Sequence, residues 1–253
     1  MNGEYNLQPL WDALINLYGE VNKICVKHGI RHWAVGGTAL GAMRHKGFIP
    51  WDDDFDIAMM RPDYERFWRV AVKELPPNVI WMSIDTDPDY DLSFGSVCDK
   101  TPDLIARLKK ETRLDISGGV FIDIYPIDGQ PKTRTGLWWF KAIRGVLRRA
   151  VRFLPVTPQK QRQLYSKYLQ HIDLEKATMC GNANCDSHKQ FRCFWKKSWF
   201  ETTKMMPFEN IEVPMPGKCE EFIAQHYRNW RQLPPKENRV PSHQDIEHGI
   251  VDF

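Results

Sequence analysis

The sequence predicts an α/β (α+β) protein in which helices flank a mixed sheet and a helical lobe follows toward the C-terminus. Short apolar runs alternate with amphipathic helical patterns in the first half of the chain. Long helical patterns begin after residue 136, and 42% of the 253 residues are apolar, which is enough for a large core. We therefore expect a core domain over residues 1–135 and a helical, cysteine-containing lobe over residues 136–253.

The elements of the core domain follow from apolar spacing and from helix-breaking residues. Apolar residues from Leu10 to Ile24 recur every three or four positions, which indicates an amphipathic helix that ends at Gly29. Pro62 fits the first turn of a later helix, and Pro76 ends it. The expected order is a helix over 10–24, a strand over 30–35, a helix over 38–44, a strand over 54–59, a helix over 62–75, and strands over 79–84, 93–98 and 120–125. Residues 104–108 fit either a helix or a strand.

The lobe is expected to contain helices over 137–154, 158–174 and 218–230, a hairpin over 203–214 and an irregular stretch from residue 234. In the first of these helices a basic stripe is formed by Lys141, Arg144, Arg148 and Arg152. A basic stripe beside tryptophans is typical of a helix that lies on a membrane surface. In the alternative, which we favour, the apolar side of the helix packs on the core and the arginines are solvated.

The stretch from Gly36 to Asp56 has the residues that most clearly indicate chemistry. An apolar run ending at Val35 leads into Gly36 and Gly37, and a helix is predicted to start at Thr38. A helix start offers free N–H groups and the positive end of the helix dipole, which suit an anion such as phosphate. Glycine lets that ligand approach the backbone. The three residues Gly36, Gly37 and Thr38 are therefore predicted to bind a phosphate group.

Four of the five residues from Asp52 to Asp56 are aspartates. Because Asp52, Asp54 and Asp56 share strand parity, their side chains are expected on one face. Such carboxylates repel one another unless a cation joins them, and Mg²⁺ is usual where carboxylates meet phosphates. The alternative is a solvated turn, but Asp56 stands in an apolar run where an unpaired carboxylate would be costly. We therefore predict that Asp54 and Asp56 hold Mg²⁺ (or Mn²⁺).

Residues 36–62 closely resemble the LicD family of phosphotransferases, which is similar to the fukutin-related proteins. The resemblance rests on Gly-Gly-Thr from Gly36, on Arg44-His45, on Ile-Pro-Trp-Asp-Asp-Asp from Ile49 and on the final Asp56. Further stretches that resemble the family are residues 119–129, Trp199-Phe200, and Leu233-Pro234-Pro235 with Arg239 and His243.

The resemblance implies a nucleotidyltransferase-like fold and a phosphotransferase reaction. A phosphorylated alcohol, most often phosphocholine, would pass from a CDP-linked donor such as CDP-choline to a sugar hydroxyl, with release of CMP. The acceptor would be a cell-surface glycan, such as lipopolysaccharide or teichoic acid, or its lipid-linked precursor.

The resemblance also implies roles for particular residues. Folds of this type place an acid on a neighbouring strand, so Asp123 becomes the third metal ligand. Asp52 becomes a candidate base or outer-shell acid. The candidates for donor contact, whose alternative is an ordinary surface role, are Arg44, His45, Arg239 and His243.

A second metal site is predicted in the lobe. Its candidate ligands lie within fourteen residues and are Cys180, Cys185, His188 and Cys193. Three thiols and one imidazole can bind Zn²⁺ tetrahedrally, and fukutin-related proteins carry a zinc-binding loop in a comparable region. The spacing is not that of a standard finger, and the favoured alternative is a set of ordinary loop cysteines.

The remaining composition narrows the classes of function. A net charge of +3 gives no broad positive field for nucleic acid. With no apolar leader and no long apolar run, we expect a cytoplasmic protein with reduced cysteines and, at most, peripheral contact with the inner membrane face. Two alternatives to the phosphotransferase stay open. One is a nucleotidyltransferase that adds a nucleotide monophosphate to a small molecule, and the other is a non-catalytic nucleotide-binding scaffold.

Overall fold

The computed structural model describes residues 6–87, 90, 92–182 and 193–241. The elements in chain order are α1 (Gln8–His28), β1 (Trp33–Ala34), α2 (Gly36–Arg44), β2 (Asp56–Met60), α3 (Arg61–Glu74), β3 (Val79–Met82), β4 (Gly95–Asp99), α4 (Pro102–Thr112), β5 (Val120–Gln130), α5 (Arg134–Ala150), α6 (Pro158–Leu169), β6 (Met179–Gly181), β7 (Trp195–Lys196), β8 (Thr203–Phe208), β9 (Ile211–Pro216) and α7 (Cys219–His226). The predicted α/β (α+β) class is confirmed.

Seven of these strands form one mixed sheet. Its main order is β1-β2-β5-β4-β3, with β6 paired to β5 and β7 paired to β6. The β2–β5 pair is parallel, and the other pairs are antiparallel. The strand β5 therefore lies at the centre, where its side chains meet those of β2 and β4. Strands β8 and β9 form the predicted hairpin.

The main core lies between the sheet, the amphipathic helix α1 and the β8–β9 hairpin. Phe48, Phe55 and Phe208 pack edge to face, with ring centroids 4.8–6.0 Å apart. Such pairs are worth about 0.5–1.5 kcal/mol each beyond the area that they bury. The helix α1 ends at Gly29, whose φ of 60° is the left-handed conformation expected at a helix stop. This core fixes the loop before β2 against the start of α2.

Several element boundaries differ from the prediction. The segment 104–108, left open above, lies in the helix α4. The strand β5 continues past Pro126 to Gln130, because β6 pairs with its last three residues. Both β6 and β7 are too short to give a pattern in the sequence. The lobe after residue 136 therefore contains strands as well as helices.

Asp128 lies in β5, two residues before the end of the strand. Its carboxylate accepts two hydrogen bonds of 2.7 Å from the guanidinium of Arg61, at the start of α3. Asp128 is only 2% exposed, so this pair ties α3 to the centre of the sheet inside the protein. Replacing one member would leave the other charge buried without its partner.

The orientation of α5 agrees only in part with the one that we favoured, because apolar residues pack on the protein but one arginine of the basic stripe is buried with them. Leu137, Phe140 and Arg144 are buried, and the first two pack against Phe194. The apolar residues Trp139 and Ile143 are exposed instead. The basic stripe therefore lies partly inside, because Arg144 is buried; its charge partly opposes the rise that burial causes in the pKa of a tyrosine of α6. Among the described residues, no helix combines the length and apolar character needed to cross a bilayer.

Candidate active site

The helix α2 begins two residues earlier than predicted, at Gly36. Val35 is extended, with φ −134° and ψ −177°, and Gly36 then adopts a φ of 54°, which favours glycine. The first intrahelical bond runs from the N–H of Ala39 to the carbonyl of Val35 at 3.0 Å. The N–H groups of Gly36, Gly37 and Thr38 precede this bond, so the helix offers no acceptor to them.

Both glycines lie directly against carboxylates. A Cβ on Gly36 would overlap Oδ2 of Asp56, and a Cβ on Gly37 would overlap Oδ2 of Asp52. The absence of side chains here brings the aspartates close to the helix start. The two predicted parts of the site, the phosphate cradle and the acids, are therefore adjacent in the structure.

The hydroxyl of Thr38 has a structural contact. It accepts a hydrogen bond of 2.8 Å from the backbone N–H of Asp56, and Thr38 is only 1% exposed. This bond fixes the first residue of β2 to the first turn of α2. The observation favours a positioning role for the Thr38 hydroxyl, while its backbone remains at the helix start.

Asp56 and Asp123 are direct neighbours on the parallel strands β2 and β5. Paired residues on adjacent strands point to the same face, so the two carboxylates share one side of the sheet. Ser96, paired with Asp123 on the other side, donates a hydrogen bond of 2.6 Å from Oγ to its Oδ1. The hydroxyl of Tyr90 lies 2.8 Å from the same Oγ. This polar row across three strands orients Asp123.

The strand parity proposed for the aspartates holds only in part. β2 begins at Asp56, and Asp52 and Asp54 lie in the irregular segment before it. The N–H of Asp52 bonds to the carbonyl of Ile49 at 2.8 Å, which closes a turn. Asp53 is buried elsewhere and lines a cleft beside α1. The three alternate aspartates nevertheless stay within electrostatic reach of one another.

This concentration of acids shifts their pKa values upward. Burial raises the pKa of Asp56 well above its usual range, and the charges of Asp54 and Asp123 raise it further. Burial also raises the pKa of Asp52, and the charge of Asp54 and a hydrogen bond with it add to that shift. The nearby Arg44 opposes the shift of Asp52 only partly. The site is therefore short of positive charge.

A divalent cation fits this deficit. Oδ2 of Asp52 is buried and finds no hydrogen-bond partner among the described residues. Acids with raised pKa values gain from a nearby positive charge. Within the part of the chain that the structure describes, no three His, Cys, Asp or Glu side chains already converge as a complete metal site. Mg²⁺ commonly takes only one or two carboxylates together with substrate phosphates. The predicted ligands Asp54, Asp56 and Asp123 therefore remain predictions.

The C-terminal part of the chain forms one wall of the site. Arg44, at the end of α2, donates hydrogen bonds of 3.0 and 3.2 Å to the carbonyls of Trp230 and Gln232. The guanidinium of Arg239 lies 5.5 Å from the ring centroid of Trp51 and donates to a backbone carbonyl at 2.9 Å. The structure thus brings Arg239 back to the loop that carries the aspartates.

The charged groups of this wall influence one another. Burial lowers the pKa of Arg44, Asp52 raises it, and Arg239 lowers it. Burial and the neighbouring charge of Arg44 lower the pKa of His45, which favours its neutral form. The two arginines are therefore placed to attract an anion beside the aspartates. His243 lies outside the described residues.

Two tyrosines were missed by the sequence reasoning. Burial raises the pKa of Tyr227, and the charges of Asp52 and Asp56 raise it further. Burial likewise raises the pKa of Tyr125, with Asp56 and Asp123 adding to it. Tyr125 stands two residues after Asp123 on the same strand, so parity could have indicated it. Tyr227 is distant in sequence and gave no such signal.

The predicted zinc ligands are only partly visible. Cys180 is buried in β6, and Sγ of Cys193 lies 4.0 Å from Nδ1 of His226. Cys185 and His188 lie outside the described residues, so the Zn²⁺ site stays a prediction. Cys25, Cys98, Cys180 and Cys219 are free thiols.

The chain is similar to a known protein family and to several known proteins. Residues 29–146 match the family described as LicD/FKTN/FKRP, nucleotidyltransferase domain. The chain is 25% identical to the lipopolysaccharide cholinephosphotransferase LicD of Haemophilus influenzae, over 90% of this chain and 92% of that protein. It is 49% identical over 35 residues to the mouse ribitol 5-phosphate transferase FKRP, which covers 14% of this chain and 7% of that protein. An uncharacterised Rickettsia prowazekii protein is 28% identical over 45% of this chain and 40% of its own length.

Proposed function

We propose that this chain is a phosphotransferase that moves a substituted phosphate onto a hydroxyl, because residues 29–146 match the LicD/FKTN/FKRP nucleotidyltransferase domain. Two of the relatives named above are transferases, one of choline phosphate and one of ribitol 5-phosphate. The similarity to the first spans nearly the whole chain, so phosphocholine is the proposed group. CDP-choline is the proposed donor, a glycan hydroxyl is the acceptor, and CMP is the leaving group.

The observation that supports this most strongly is the pairing of Asp56 with Asp123 beneath the start of α2. Transfer of a phosphorylated group depends mainly on positioning and on neutralising charge. The N–H groups of Gly36 and Gly37 bind the donor phosphate through the positive end of the helix. Arg44 and Arg239, on the wall described above, add positive charge. The bond between Thr38 and the backbone of Asp56 keeps this helix end and the carboxylates in register.

In the proposal, Asp56 and Asp123 hold a divalent cation, Mg²⁺ or Mn²⁺, together with Asp54. When bound, such a cation neutralises charge on the donor's phosphate oxygens. Ser96 keeps Asp123 oriented through its hydrogen bond of 2.6 Å. A fixed carboxylate needs no rearrangement at the moment of reaction, which is the source of this kind of electrostatic stabilisation.

Asp52 is the proposed general base. Burial and the charge of Asp54 raise its pKa, so the ionised carboxylate is a stronger proton acceptor than that of an ordinary aspartate. Its Oδ2 has no hydrogen-bond partner among the described residues, and in the proposal this oxygen takes the proton of the acceptor hydroxyl. The acceptor oxygen then forms its bond to the phosphorus of phosphocholine. The bond from that phosphorus to the oxygen of CMP breaks, and CMP leaves with the electron pair.

The proposal is tested by incubating the protein with a panel of CDP-alcohols, Mg²⁺ and a lipopolysaccharide acceptor. CMP is expected to be released in an acceptor-dependent reaction, fastest with CDP-choline. Asp123→Asn should remove this release, while Ser96→Ala should only slow it, because Ser96 orients the carboxylate without contacting substrate. Failure of every CDP-alcohol to yield CMP would refute the proposed donor class.

A further inference from the structure

Large apolar side chains are exposed mainly in one stretch of the protein. Of the fifteen exposed large apolar side chains among the described residues, eight lie from Trp138 to Leu164. On α5, Trp139, Ile143 and Val146 are 61%, 48% and 67% exposed. Their spacing of four and three places them on one helix face, here called the apolar stripe. The other apolar side of α5 is already packed, so the apolar stripe is left without cover by the described residues.

The apolar surface continues beyond the end of α5. A short 3-10 helix follows at Val151–Phe153, and Phe153 is 87% exposed. Leu154 and Val156 are also exposed. A soluble surface rarely concentrates so many apolar side chains, and such a patch usually marks an interaction site.

The same stretch carries a strong charge bias. Residues 129–172 contain ten Lys and Arg residues and no Asp or Glu, whereas the whole chain has 35 Lys and Arg and 32 Asp and Glu. The rest of the chain is therefore net acidic, and positive charge is concentrated around the apolar stripe. Arg149 and Arg152 are exposed beside it. An apolar face flanked by basic residues is complementary to an anionic lipid surface.

We propose that the apolar stripe and the segment 151–156 form a docking surface for an anionic lipid bilayer. Tryptophan side chains favour the boundary between headgroups and acyl chains. Arginine side chains extend toward phosphate groups while their stems cover apolar surface. The strand β5, which carries Asp123, ends at Gln130 and is followed in the chain by α5, which begins at Arg134. The proposal does not depend on the proposed reaction.

The test is co-sedimentation of the full chain with vesicles at low salt, without donor or acceptor. Vesicles of phosphatidylcholine alone are compared with vesicles that also contain phosphatidylglycerol. One variant removes the apolar stripe by Trp139→Gln, Ile143→Gln and Val146→Gln. A second variant removes charge by Arg149→Gln and Arg152→Gln.

A control variant carries Val26→Gln and Val72→Gln, which replace exposed apolar residues of α1 and α3. The molar mass of all four proteins in solution is also measured by light scattering at several concentrations. Thermal unfolding establishes that each variant is folded.

The wild type and the control variant are expected to bind the anionic vesicles and to bind phosphatidylcholine weakly. Loss of the apolar stripe should lower the partition coefficient about tenfold or more. Loss of the two arginines should lower it about 25-fold at low salt, or about fivefold per charge. Binding that is equal in all variants, or absent in the wild type, would overturn the proposal. A concentration-dependent dimer that is lost with the apolar stripe, without vesicle binding, would assign the surface to a second copy of the chain.

Discussion

The substitution Gly37→Ala tests whether the start of α2 must lie against the acids for the reaction to occur. A Cβ at this position would overlap Oδ2 of Asp52 and lie 3.1 Å from its Cγ. Carbon atoms in contact normally stay about 3.5–4.0 Å apart, so the carboxylate must move by roughly 0.5–1 Å. The end of an aspartate side chain can move without unfolding the protein. A displacement of about 1 Å at a reacting group can cost on the order of 100-fold in rate.

We therefore expect Gly37→Ala to lower kcat/KM for the CDP-linked donor about 100-fold, which corresponds to about 2.7 kcal/mol. Its melting temperature should stay at or slightly above that of wild type, because alanine is favoured over glycine in a helix. The matched control is Gly19→Ala in α1, where a Cβ would meet no atom within 4 Å. Acceptor-dependent CMP release measures activity, and circular dichroism measures unfolding. Wild-type activity in Gly37→Ala, or an equal loss in Gly19→Ala, would refute the reasoning.

Three further predictions concern charge. Asp56→Asn should abolish CMP release while the protein stays folded. Mg²⁺ at about 100 times its Kd should raise the melting temperature of the wild type by roughly 5–10 °C and leave that of the variant unchanged. An equal rise in both proteins would contradict the role of Asp56 as a metal ligand. Without divalent cations, the free energy of unfolding should fall as pH rises from about 4, because the folded state holds protons on Asp52 and Asp56 that the unfolded state has released. Urea unfolding at several pH values should show this fall, and the fall should be smaller in Asp56→Asn. An equal fall in both proteins would count against the prediction. Asp128→Ala should destabilise the protein by about 3–5 kcal/mol, because Arg61 stays buried without its partner. Urea unfolding measures this loss of stability. A loss below about 1 kcal/mol would mean that the pair behaves like a surface ion pair.

The sequence was sufficient for the parts of the fold that depend on local patterns. The spacing from Leu10 to Ile24 predicted α1, and Gly29 predicted its end. The hairpin of β8 and β9 also followed from local pattern. The strands β6 and β7 were not predicted because they are only three and two residues long and form through pairing, β6 with β5 and β7 with β6. Pairing between distant segments leaves little local signal.

In the candidate site, too, the features that depend on neighbouring residues were predicted, and those that depend on contacts between distant segments were not. Gly36 and Gly37 and the acids were found because they are close in sequence and chemically unusual. The direct pairing of Asp56 with Asp123 depends on strand register, which the residues alone did not give. Ser96 and Tyr227 were missed because their contacts with the acids form only in the folded chain.

The orientation of α5 shows how two apolar faces on one helix can mislead. Counting apolar residues correctly predicted a helix that could pack on the protein. It did not reveal that Leu137 and Phe140 would be buried while Trp139 and Val146 would be exposed. That choice depends on the partners supplied by α6 and by the residues near Phe194.

The most direct test of the central claim is the mass of the acceptor after reaction with CDP-choline and Mg²⁺. We expect the acceptor to gain one phosphocholine group for each CMP released, and to gain nothing when the enzyme carries Asp56→Asn. An acceptor that gains a cytidine nucleotide instead would make the protein a nucleotidyltransferase. That result, or phosphocholine transfer at the wild-type rate by the Asp56→Asn variant, would contradict the account.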